Sequence, residues 1–182
     1  MLKDAKAWES WLETNHETSP GIWLRIAKKS SELKSVVYPE VLEIALCHGW
    51  IDGLRKSYDD DSFLQKFTPR GLRSIWSKIN RTKALELIEQ KRMKPAGHAA
   101  IERAKEKGQW ESAYDSHRTS SVPEDFEAAL AKSAKATKFF STLSKTNRYA
   151  ILWRIQTAKK AETRARRIEQ IIGMLKKGET FH

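Results

Sequence analysis

The sequence predicts an α+β fold, mostly helical, with a small three-stranded antiparallel sheet in the N-terminal half and a basic C-terminal helical module. Three observations carry this reading. Short extended stretches bounded by turn residues lie between positions 22 and 68. After Pro69-Arg70-Gly71 the apolar residues recur at helical spacing to the end of the chain. Charge is unevenly spread: residues 131–182 hold 13 Lys/Arg against 3 Asp/Glu, and the other 130 residues hold 21 against 20. The net +11 is therefore +10 in the last 52 residues and +1 elsewhere. Such a field steers anionic partners and says nothing about fold.

Residues 4–16 place Ala7, Trp8, Trp11 and Leu12 on one helical stripe, with Asp4 as N-cap and Pro20-Gly21 as the stop. Residues 22–29 alternate, Ile22, Leu24 and Ile26 on one face and Trp23 and Arg25 on the other, which predicts a half-buried strand. Ser30–Ser35 reads as a loop. A second helix starts near Pro39, shows Val41, Leu42, Ala45 and Leu46 on a stripe, and ends at Gly49. Extended segments at 50–58 and 62–68 flank the acidic turn Asp59-Asp60-Asp61, predicting a hairpin that joins the first strand in an antiparallel meander. Helices are predicted near 74–90, 95–107, 123–132, 134–143, 146–158 and 161–177. Pro95 and Pro123 stand at helix starts and Gly108 and Gly178 at helix ends.

This organisation gives an α+β body over 1–108, a Ser/Thr/His-rich linker over 109–122 and a basic helical module over 122–182, the two halves separate or sharing one core. At 182 residues with 40% hydrophobic and 31% charged side chains, the chain can bury a sizeable core. A single cysteine excludes an internal disulfide framework and fits a reducing compartment. The N-terminal residues run straight into a charged amphipathic segment without an apolar signal region, so a cytoplasmic location is expected. No apolar run approaches the length of a membrane span.

Catalytic chemistry finds little purchase. Cys47-His48 pairs a nucleophile with a base in sequence, but helical neighbours point about 100° apart, and a packed thiol is the reading taken. The Asp59–Asp61 run lacks the glycine and distal Glu of a calcium loop and reads as a solvated turn. The five His fall into no metal-binding spacing, and nucleotide and hydrolase motifs are absent. No catalytic residue, metal or cofactor is expected.

Two regions could bind a ligand. Trp50, Asp52, Arg70, Trp76 and Asn80 mix large aromatics with polar groups at strand ends and a helix start, as in small-molecule pockets. Ser74 or Ser77 would cap that helix. The plain alternative makes Trp50 and Trp76 core and pairs Asp52 with an arginine. In the C-terminal helices Lys145, Arg148, Lys159, Lys160, Arg166 and Arg167 form a basic surface, with Arg148 and Arg154 interleaved with Tyr149 and Trp153. A merely solvated basic face is the alternative there. Arg164 falls beside the stripe of Ala161, Ala165, Ile168, Ile171, Ile172 and Leu175. Its head is expected in a bidentate contact with a carboxylate such as Asp52 or Glu162, or open to an anion pocket.

The strings Pro123-Glu124-Asp125-Phe126, Phe139-Phe140-Ser141-Thr142-Leu143, Trp153-Arg154-Ile155 and Ala158-Lys159-Lys160-Ala161-Glu162-Thr163-Arg164-Ala165-Arg166-Arg167-Ile168 resemble the YdeI/OmpD-associated family, also described as bacteriocin-protection proteins. Upstream, Gly49-Trp50-Ile51-Asp52-Gly53, Phe67-Thr68-Pro69-Arg70 and Ser74-Ile75-Trp76-Ser77-Lys78-Ile79-Asn80 are similar to full-length members. The resemblance implies a bacterial or archaeal protein linked to resistance against bacteriocins and cationic antimicrobial peptides. It supplies no catalytic residues, and members have been described as predicted periplasmic proteins. The expected function is a non-enzymatic stress or resistance protein binding an anionic partner. Nucleic-acid binding through the basic helices is the first alternative, and a small-ligand binder or enzyme at the Trp50–Asn80 region the second.

Overall fold

A computed structural model of the chain describes residues 2, 4–33, 35–116 and 119–181. Among these the elements run α1 (Ala5–Asn15), β1 (Ile22–Ala27), α2 (Tyr38–Cys47), β2 (Trp50–Ser57), β3 (Ser62–Pro69), α3 (Lys78–Glu89), α4 (Pro95–Glu106), α5 (Glu124–Ala131), α6 (Ala134–Thr142), α7 (Lys145–Gln156) and α8 (Ala161–Lys177). The fold is α+β and mostly helical. The chain divides into two compact units, Met1–Ala113 and Tyr114–His182. Each has its own hydrophobic core.

The first core is organised by tryptophan. Trp8 and Trp11, three apart on α1, stack with ring centres 5.5 Å apart, and Trp8 also meets Phe67 of β3 at 5.5 Å. Both buried indoles find acceptors: Trp8 Nε1 donates to Val41 O at 3.0 Å, and Trp50 Nε1 to His16 O at 3.1 Å. Asp4 caps α1 by accepting from the Ala7 amide. Leu24 and Ile26 of β1 are buried, as their alternation predicts.

The sheet is antiparallel with strand order β1-β3-β2. The hairpin of β2 and β3 forms, but β1 pairs with β3 (Ile22 opposite Phe67, Ile26 opposite Phe63), so the strands do not follow one another as a simple meander. The reason lies in burial. β3 hides Ser62, Phe63, Gln65 and Phe67, whereas residues 53–57 of β2 are exposed and carry Arg55 and Lys56, side chains suited to an edge. A register shift between Asp52 and Arg55 frees two carbonyls, those of Gly53 and Leu54, and the buried Gln65 amide donates to both.

Two boundaries differ from the sequence expectation. α3 starts at Lys78, not near 74, because Ser77 rather than Ser74 caps it, its hydroxyl accepting from Asn80 N at 3.2 Å. The preceding residues instead carry Trp76 into the core. There it meets Trp110 edge-on at 4.8 Å. Gln109, Trp110 and Ala113, expected in the linker, are thus buried in the first unit. His117 and Arg118 of that linker lie outside the described residues, as does Lys34 of the loop after β1.

In the second unit Phe126 and Leu130 of α5, Phe140 of α6, Ile151, Leu152 and Ile155 of α7, and Ile168, Ile171 and Leu175 of α8 form the core. Each fully buried side chain of this size contributes about 1.5–3 kcal/mol. Ser133 and Ser144 cap α6 and α7. Gly178 ends α8 in the left-handed conformation at φ 77°, where a side chain would be strained.

Candidate functional site: a cationic cleft between α7 and α8

α7 ends in carbonyls that no further helical turn satisfies, and side chains that follow fill the role. Arg164 Nη1 donates to Ile155 O at 2.9 Å, Arg167 Nη1 to Arg154 O at 2.5 Å, and Thr157 Oγ1 to Trp153 O at 2.7 Å. This ties the start of α8 to the end of α7 and brings three cations around one cleft of about 660 Å³. Trp153, Arg154 and Thr157 line one side, Arg167, Gln170, Met174 and Lys177 the other, and Phe181 closes it. The Arg154 guanidinium lies 3.8 Å from the centre of the Phe181 ring and, among the described residues, donates to Ala150 O. A guanidinium has five donors, so both arginines keep N–H groups beyond these bonds. No carboxylate of the described residues lines the cleft.

The basic residues named from sequence divide among several places. Arg167 lines the cleft. Arg148 donates to Ser141 O and lies 5.5 Å from the Phe140 ring, so it fastens α7 to α6. Lys145, Lys159, Lys160 and Arg166 are exposed. None of these six forms an ion pair among the described residues. Arg154 and Trp153, named from sequence as interleaved basic and aromatic residues, line the cleft, and Gln170, Lys177 and Phe181 join them without having stood out in the sequence. Spacing on α8 carries that signal, since Arg167, Gln170, Met174 and Lys177 recur every three or four residues.

Arg164 makes the bidentate contact its position called for, but with Asp125 of α5 instead of Asp52 or Glu162: Nε to Oδ2 at 2.6 Å and Nη2 to Oδ1 at 2.8 Å. The Arg164 hydrogen bond, more than its charge alone, holds the Asp125 carboxyl below its usual range. Asp125 and Arg164 stand at the rim of a second, largely apolar cavity of about 760 Å³ between α5 and α8.

The five residues proposed as a pocket in the first unit are spread through its packing. Trp50 is core. Asp52 accepts from Tyr38 Oη at 2.8 Å, and burial, followed by the Asp52 charge, raises the Tyr38 hydroxyl above its usual range. Arg70 is 7% exposed, lies 3.6 Å over the Trp76 ring and donates to Ile75 O. Asn80 sits in the first turn of α3. The space beside Arg70 and Trp76 is about 10 Å³, and neither Asp52 nor Asn80 lines it.

The remaining chemical suspects are structural. Cys47 is buried, and desolvation pushes its thiol up to about 11, which removes the thiolate a nucleophile needs. Asp59 accepts from Ser62 Oγ at 2.6 Å and from Arg25 Nη2 at 2.6 Å, closing the hairpin turn. No helix among the described residues is long and apolar enough to cross a membrane.

Comparison with known families gives two matches. Residues 1–100 match a family described as a domain of unknown function (DUF8412). Residues 119–178 match a family described as bacteriocin-protection, YdeI or OmpD-associated. The second match falls on the C-terminal strings of the resemblance and spans both walls of the cleft as far as Lys177, whereas the upstream strings between 49 and 80 lie within the first match. No curated protein and no solved structure matches the chain.

Proposed function

The chain belongs to the family of unknown function matched over more than half its length and carries a bacteriocin-protection domain, and from that premise we propose a non-enzymatic resistance protein that binds an anionic partner through its C-terminal module. The family description supports the biological role and leaves the molecular one open. The observation that carries the partner class is the α7–α8 cleft, with Arg154, Arg167 and Lys177 on its walls and no carboxylate among the described residues. Its surroundings keep the +10 balance of residues 131–182 in solution, because the exposed lysines and Arg166 meet no acid among the described residues. A basic module does not sequester a cationic peptide by charge. It can occupy the anionic sites that such a peptide seeks.

The test is a titration of the whole chain with a polyanion, such as polyphosphate, across a range of salt. Binding that weakens steeply as salt rises is the expected result, since association releases counterions. Binding that is absent at low salt, or indifferent to salt, contradicts the proposal.

Nucleic acid is a second reading, and one observation favours it. Trp153 and the Arg154–Phe181 stack put flat groups beside the cations, which is how single strands are held. Tighter binding to a single-stranded oligonucleotide than to polyphosphate of equal charge would support that reading. Equal binding would leave the simpler electrostatic one.

A further inference from the structure

β2 is an edge of the sheet, yet one of its cations points to the packed side. Arg55 stands opposite Gln65 in the register, and side chains opposite one another share a face. Gln65 is 3% exposed and Phe63, two residues earlier on β3, is 8% exposed, so this is the face that carries the core. The Arg55 guanidinium lies 3.7 Å from the centre of the Phe63 ring. It makes no ion pair or hydrogen bond among the described residues, so its five donors remain open.

Arg55 and Phe63 line a cavity of about 530 Å³, a size typical of small-molecule sites. Its buried lining includes Ile26 and Val36, and its more open lining Leu33, Val37 and Pro39. Val37 is 53% exposed, an apolar side chain that the rest of the chain leaves uncovered. Lys28 and Lys29 add positive charge, and no carboxylate of the described residues lines the cavity. Asp52 stands behind Tyr38, whose hydroxyl donates to it at 2.8 Å. Lys28 Nζ already donates to Asp59 O at 2.9 Å and Lys29 is exposed, which leaves Arg55 as the cation that joins the apolar lining. Hydrogen bonds hold that lining in place. Ser35 Oγ accepts from Ala27 N at 2.8 Å and donates to Val36 O at 2.9 Å, and the Leu33 amide donates to Ser31 Oγ at 3.1 Å. A wall fixed in this way costs a ligand little ordering on binding.

We propose that this cavity binds a small amphiphile with an anionic head and an aliphatic chain, of the medium-chain fatty carboxylate class, its head on Arg55 and its chain along Ile26, Val36 and Val37. A carboxylate meets a guanidinium through two parallel hydrogen bonds, and Arg55 has open donors for both. The lining selects an alkyl chain over an aromatic ring, because it is mainly aliphatic and the Phe63 face is already covered by Arg55. Three cations around the cavity exclude an amphiphile with a cationic head. The site lies in the N-terminal unit and does not rest on the anion-binding reading of the C-terminal cleft.

The test titrates the whole chain with octanoate by calorimetry, below the concentration at which octanoate forms micelles. One octanoate per chain should bind saturably, and hexanoate should bind more weakly, by up to roughly fourfold for each CH₂ removed. Octanol, with the same chain and no charge, should bind roughly tenfold more weakly or less. Arg55→Gln should weaken octanoate binding by roughly tenfold or more. Arg154→Ala with Arg167→Ala, in the other unit, should leave it unchanged. Should Arg55→Gln fail to fold, Val37→Asp decides, because Val37 is exposed and a carboxylate there repels the anionic head. Absence of saturable binding, octanol binding as tightly as octanoate, or the parent affinity in the deciding variant overturns the proposal. So does an equal loss in the Arg154 and Arg167 double variant, since binding would then follow the charge of the whole chain.

Discussion

In the N-terminal unit, cations and carboxylates meet. Arg25 reaches Asp59 at 2.6 Å, Arg92 and Lys83 share Glu43 at 2.9 and 3.4 Å, and Lys105 reaches Glu102 at 2.8 Å. In the C-terminal unit the pair Arg164–Asp125 is the one such contact among the described residues, set against 13 basic side chains from 131 onward. Both units bury aromatic and aliphatic cores of the same kind. The difference therefore lies in what is left for solvent. The first unit pairs several of its cations with its own carboxylates, whereas the second leaves most of its cations without an ion pair among the described residues. Surface pairs of this kind contribute only about 0–1 kcal/mol each, so the contrast concerns recognition more than stability.

The largest expected effects come from the cores, and they ask whether the two units are stabilised separately. Phe126→Ala should cost about 3–5 kcal/mol, and Trp8→Ala a similar amount. Hydrogen exchange should report the first loss in α5–α8 and the second in α1–β3. If either change deprotects both regions equally, the two cores act as one and the comparison weakens.

Helix caps give smaller effects on each side. Ser77→Ala in the first unit and Ser133→Ala in the second should each cost ~1 kcal/mol, measured by denaturant melts. A much larger loss at Ser77 would mean that its role extends to holding the Trp76 segment.

The smallest effect belongs to the one ion pair of the basic unit. Asp125 is held below its ordinary range by the Arg164 hydrogen bond, so its stabilisation is present above about pH 4 and is lost as pH falls through its lowered pKa. Both side chains are partly exposed, so Asp125→Asn should cost no more than ~1 kcal/mol at neutral pH. It should also flatten the fall in stability below about pH 4. An unchanged acid limb in the variant would show that the pair contributes nothing.

Much of this contrast is visible in the residues themselves. Helical spacing and proline, serine and glycine punctuation place the eight helices of the described residues to within a few positions, and the charge split is a matter of counting. What stays hidden is what connects distant positions. β2 and β3 both look like strands, and only the pairing of β1 with β3 makes β3 central. Trp110 sits among polar neighbours, and its burial depends on Trp76, far away in sequence. Asp125 and Arg164 lie 39 residues apart, on different helices. His16 and His48 are likewise invisible as a pair, because their ring contact joins the ends of two different helices. In the cleft, Arg167 stands out from sequence, while Phe181 is assigned only when its ring is seen against Arg154.

The most direct test compares polyphosphate binding by the intact chain with two double variants at low salt. Arg154→Ala with Arg167→Ala removes the cleft cations, and Arg92→Ala with Lys105→Ala removes paired cations of the first unit. At least a tenfold loss of affinity is expected in the cleft variant, and less than a twofold change in the other, where carboxylates already offset the charge. Equal losses in both would contradict it, because binding would then follow total charge and not the open field of the C-terminal unit.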